Sequence, residues 1–65
     1  MYTNKMRKIR LSKNMTMDDL ADRTGLSVGY ICHLERGSRS NPSVQVMESI
    51  AKALGETVIE IFFTE

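Results

Sequence analysis

Apolar residues recur along this chain at helical rather than strand spacing. Met6 and Ile9 share the inner side of a helix predicted from Asn4 to Lys13. Leu20 and Ala21 face inward from a second helix, and Tyr30, Ile31 and Leu34 from a third. Val44, Met47, Ile50, Ala51 and Leu54 mark the stripe of a fourth. The punctuation agrees with these periods. Thr16 caps helix two, and Asp18 and Asp19 occupy its first turn, where the helix dipole favours acids. Ser27 caps helix three, which ends near Arg36 with Gly37 as the C′ residue. Pro42 and Ser43 set up helix four, and Gly55 ends it. Thr57 opens helix five and forms, with Glu60, an S/T-x-x-E capping box. No stretch alternates as a half-buried strand would. The expected fold is all-α, with five short helices.

Met17 to Arg36, MDDLADRTGLSVGYICHLER, is the most informative stretch. It reads as two short amphipathic helices joined by a tight turn at Gly25. Ala21 lets the two backbones approach, Gly25 supplies the positive φ that so short a turn needs, and Ile31 and Leu34 anchor the second helix. Helices held this way present the second one as a probe for a groove. The arrangement is a helix-turn-helix, and it points to DNA binding.

Sixty-five residues make one domain, 1–65, without repeats or internal linkers. A domain this small buries about 60% of the surface of its unfolded chain, so it leans on tight packing or on a partner subunit. Cys32 is the single cysteine, which excludes an internal disulfide, and the Cys32–His33 pair offers too few ligands for zinc. No cofactor or metal is therefore expected. The charged N-terminus has no apolar h-region, and no apolar run approaches the roughly 18 residues of a membrane span. A free thiol and no export signal fit the reducing cytoplasm.

Net charge becomes informative when the chain is divided. Residues 1–42 hold eight of the nine Lys and Arg against four acids, a net +4, whereas residues 43–65 hold Lys52 against four glutamates, a net −3. A solvated surface accounts for such clustering; so does a basic half facing DNA with an acidic half behind it.

At 3.6 residues per turn, Val28, Gly29, Cys32, His33 and Arg36 fall within an arc of about 140°, apart from Tyr30, Ile31 and Leu34. This outward set is the candidate base-reading face. His33 can donate to guanine N7 or O6, Val28 can meet a thymine methyl, Gly29 permits close approach, and Ser27 can add a hydrogen bond. A solvated His33 and a space-filling Cys32 fit the same pattern. Catalysis has no support: Asp18, Asp19 and Asp22 suit a helix start better than acid–base chemistry, and no nucleophile–base set is present.

From Met6 to Phe62 the chain resembles the Cro and phage-repressor type (XRE family) of helix-turn-helix domain. The resemblance is carried by RKIR…MTMDDLADRTGLSVGYICHLERG, NPSVQVMESIAKALG and TVIEIFF. It implies a lambda-repressor-like five-helix bundle that binds double-stranded DNA as a two-fold homodimer and controls transcription, as a repressor. It also implies phosphate contacts from Arg36, Arg39, Ser40 and Asn41, with Thr16 a further candidate. In similar proteins the first residue of helix two is often glutamine; here it is Met17, whose thioether cannot donate, so its phosphate contact is expected from backbone N–H groups. The resemblance further implies an Arg10–Glu35 structural ion pair between helices one and three. Val58, Ile61 and Phe62 match inward positions of the family's last helix, whereas Ile59 and Phe63 form an additional apolar stripe, expected to be the dimer interface. An antitoxin, a protein-interaction module on the same fold, and an RNA-binding domain remain open readings.

Overall fold

The computed structural model describes residues 4–37 and 42–63. Arg39, Ser40 and Asn41 lie outside them. The helices are α1 (Met6–Ser12), α2 (Met17–Thr24), α3 (Val28–Arg36), α4 (Val44–Leu54) and α5 (Val58–Phe62). Each of them sends at least one fully buried side chain to a shared core: Met6 from α1, Leu20 from α2, Ile31 from α3, Ile50 and Leu54 from α4, and Ile61 from α5. Fully burying an aliphatic side chain contributes roughly 1.5–3 kcal/mol. That common core explains why five helices of 5 to 11 residues, too short to persist alone, hold together. α2 packs on α3 and α4, and α5 closes the bundle against α4 and α1.

Local chemistry sets the boundaries and departs from the sequence expectation in places. The first helix begins at Met6, not Asn4, because Asn4 Oδ1 accepts from Met6 N–H at 3.0 Å and holds the approach in a turn. Asn14, at φ 57°, stops it. Val44 is not inward: it is 63% exposed. The buried stripe of α4 is Ile50, Ala51 and Leu54, with Val46 and Ala53 packed on the core; Val44 shares the side of Ala51 but is the first residue of the helix, two turns before it, where the core does not reach. The reciprocal capping box is formed by Thr16 and Asp19 on α2, with bonds of 3.0 and 2.9 Å. At α5, Thr57 accepts from Glu60 N–H at 3.0 Å while the Glu60 carboxylate lies 3.6 Å from Lys5 Nζ. Among the described residues, no helix is long and apolar enough to cross a membrane.

Candidate nucleic-acid interface

The turn between α2 and α3 is a local construction. Gly25 closes α2 at φ 76°, its N–H donating to Ala21 O at 2.8 Å. A Cβ there would meet nothing within 4 Å, so the backbone conformation, not space, calls for glycine. Thr24 adds a pin: its hydroxyl donates to Leu20 O at 2.8 Å and accepts from Leu26 N–H at 3.2 Å. Ser27 Oγ then accepts from Tyr30 N–H at 3.1 Å and starts α3, which Gly37 ends at φ 69°.

α3 is thereby fixed with two distinct faces. Ile31, Leu34 and Glu35 are buried. Val28, Gly29, His33 and Arg36 are exposed, and Cys32 is half-buried at their flank. Ser27 is exposed with its hydroxyl oxygen engaged as the cap, which leaves the hydroxyl proton to donate outward. Thr16 is in the same position at the start of α2, and Met17 is half-buried against the core. A Cβ at Gly29 would also meet nothing within 4 Å, so packing does not require that glycine.

Behind the outward face lies a charged joint. Arg10 and Glu35 are 5% and 3% exposed. Arg10 donates through Nε to Glu35 Oε2 at 2.6 Å and through Nη2 to Oε1 at 3.1 Å, a two-pronged pair. Its Nη1 donates to Met15 O at 2.8 Å, so one guanidinium joins α1, the loop before α2, and α3. The bond to Glu35 holds the Arg10 guanidinium above its ordinary pKa against the opposing effect of burial. Asn4 adds a second tie, its Nδ2 donating to Leu34 O at 2.8 Å. The sequence does not point to either tie, because each ends on a backbone carbonyl, of Leu34 and of Met15, which side-chain patterns do not advertise.

The two hydrogen bonds with Thr16, backbone first, hold the Asp19 carboxyl below its usual range, with Arg23 assisting. Arg7, unassigned in sequence reasoning, lines an open cleft of about 270 Å³ together with Met17, Cys32, Glu35 and Arg36. Its spacing of three from Arg10, which places both on one side of α1, was the available signal. Far from this face in the chain, Ile59 and Phe63 are 65% and 67% exposed. Among the described residues no cluster of His, Cys, Asp and Glu could hold a metal ion.

Residues 6–61 match the helix-turn-helix family. The control protein C.BamHI of Bacillus amyloliquefaciens is 46% identical over 56 residues, covering 85% of this chain and 68% of that protein. The fold is similar to the restriction-modification controller protein C.AhdI of Aeromonas hydrophila, with a TM-score of 0.79 and 32% identity over 86% of this chain and 83% of that one. It is also similar to C.Esp1396I bound to a 25 base pair operator site, with a TM-score of 0.71 and 42% identity over 80% and 67% of the two chains. The chain spans 43% and 40% of the length of two longer curated relatives, both HTH-type transcriptional regulators.

Proposed function

From the premise that this chain belongs to the helix-turn-helix family of the Cro and phage-repressor type, we propose that it is a sequence-specific regulator of transcription. In this reading it binds double-stranded DNA as a homodimer in the cytoplasm and represses. The observation that carries the reading is the two-faced α3: Ile31, Leu34 and Glu35 locked inside, and Val28, Gly29, His33 and Arg36 offered outward. α3 enters the major groove. Val28 and Gly29 approach the bases at its N-terminal half, His33 reads guanine, and Ser27 and Cys32 border them. Arg36, Arg39, Ser40 and Asn41 grip the backbone after α3, and Thr16 and the N–H groups at Met17 grip it at the start of α2. Similarity to C.Esp1396I, solved on an operator site, supports this reading.

Two considerations support the dimer. One copy measures 24 × 22 × 20 Å, short of the roughly 34 Å between half-sites on one face of B-DNA, so a two-fold operator takes two copies. Ile59 and Phe63 stand four residues apart and largely in water, an apolar seam that a second copy can cover. Replacing both with Gln should leave the fold intact and shift the protein to monomer in sedimentation; an unchanged dimer would remove these residues from the interface.

Selection of binding sites from a random duplex library tests the function. A two-fold symmetric motif establishes a dimeric, sequence-specific regulator. Folded protein that enriches nothing turns the reading toward an antitoxin acting with a partner or a protein-interaction module.

A further inference from the structure

The cleft beside α3 has a composition that packing does not explain. Its walls are Arg7 from α1, Met17 at the start of α2, and Cys32, Glu35 and Arg36 from α3. Both Glu35 oxygens already accept from Arg10, so the carboxylate adds no net charge to the opening. Arg7 and Arg36 are exposed, and neither has an ion-pair partner among the described residues. Met17 offers no donor. Among the described residues, the cleft therefore presents two guanidiniums without an ion-pair partner, beside a Glu35 carboxylate already taken by Arg10. On the helical wheel Glu35, Val28, Cys32 and Arg36 follow one another, so the cleft overlaps one flank of the outward arc of α3 and opens toward α1.

We infer that Arg7 and Arg36 form a clamp for one phosphodiester of the DNA backbone, gripping it from α1 and α3 at once. The inference rests on the duplex-binding reading above. The chemistry is that of planar, permanently charged forks that suit phosphate oxygens better than ammonium groups do. The clamp adds a contact from α1, outside the helix-turn-helix, and sets the register of α3 along the groove without reading a base. Because α1 is joined to α3 through Arg10, a phosphate held here bears on a rigid frame.

The test is duplex binding by the full chain across a salt series. It uses the duplex recovered by selection and an unrelated duplex of equal length. Arg7→Ala and Arg36→Ala should each weaken binding to both duplexes by about tenfold. The double variant should lose clearly less than the product of the two, as residues sharing one partner do. Its slope of log affinity against log salt should be shallower by about 0.9 per half-site, the value for one phosphate. Arg7→Lys, which keeps the charge and loses the fork, should retain the slope and lose part of the affinity. Thermal melting should be unchanged in Arg7→Ala, since Arg7 is exposed and has no ion-pair partner among the described residues. An unchanged slope in the double variant would overturn the inference. So would strictly multiplicative losses with a slope change of about 1.8, which would mean two separate phosphates. Wild-type protein that binds no duplex at all would instead end the reading on which the clamp rests.

Discussion

Helix α1 and its two cap residues are fastened to the bundle on two sides by three charge pairs, and the two sides differ in everything but charge. On the α3 side, Arg10 and Glu35 meet in the interior at 2.6 Å, and Arg10 also binds the Met15 carbonyl. On the α5 side, Lys5 lies 3.6 Å from Glu60 and Lys13 lies 3.4 Å from Glu56, all four side chains between 26% and 49% exposed. Water screens the second set, and each such pair contributes about 0–1 kcal/mol. The interior pair has no water to fall back on, so neither partner can lose the other cheaply. Its net stabilising value is small, but it is specific about position. The pair therefore acts as a locating device for α3, while the outer pairs trim a surface.

The sharpest way to break this contrast is Arg10→Ala, which leaves Glu35 buried and unpaired. It should destabilise the protein by about 3–5 kcal/mol, comparable with the whole stability of a chain this size, and show as loss of cooperative melting. Replacing both partners with apolar residues, Arg10→Met with Glu35→Leu, should restore most of the loss; a double variant as unstable as Arg10→Ala would mean that the Met15 tie, not the ion pair, holds the joint. Thr16→Ala should cost about 1 kcal/mol by removing the cap of α2. The same cap is sensitive to acid. Asp19 is held below its ordinary value of about 3.9, so its contribution is complete above that pH and disappears as pH falls through the lowered folded value. Melting temperatures of wild type and Asp19→Asn, which lacks the charge at every pH, should therefore converge in strong acid, whereas the deficit of Thr16→Ala should persist there, because the Thr16 hydroxyl accepts from a backbone N–H. Lys13→Ala should change stability least, by less than about 0.5 kcal/mol, and raising salt should erase even that difference.

Much of this was legible in the sequence, for an identifiable reason. The inward residues Met6, Leu20, Ile31, Ile50 and Leu54 recur at helical spacing, and Thr16, Ser27, Gly25 and Gly37 act through short-range backbone chemistry that the residue type announces. Val44 departs from the expected stripe because a period does not fix how far along a helix the core reaches: Ala51, on the same side two turns later, is buried, while Val44 at the helix start is not. The start of α1 was misplaced because Asn4 reads equally well as a first helical residue and as a turn. Of the candidate interface, the outward arc of α3 followed from angle alone. The cleft did not: Arg7 and Arg36 are 29 positions apart in the chain, and it takes the packing of α1 beside α3 to bring them to one opening.

The buried pair also has a bearing on how such a chain can change over generations. An apolar pair at these two positions would fold comparably well, yet every single-step route to it passes through a protein with one unpaired interior charge. In a domain with only a few kcal/mol to spare, that intermediate is largely unfolded. Arg10 and Glu35 are thus held in place by the depth of the valley around them, and they should substitute together or not at all.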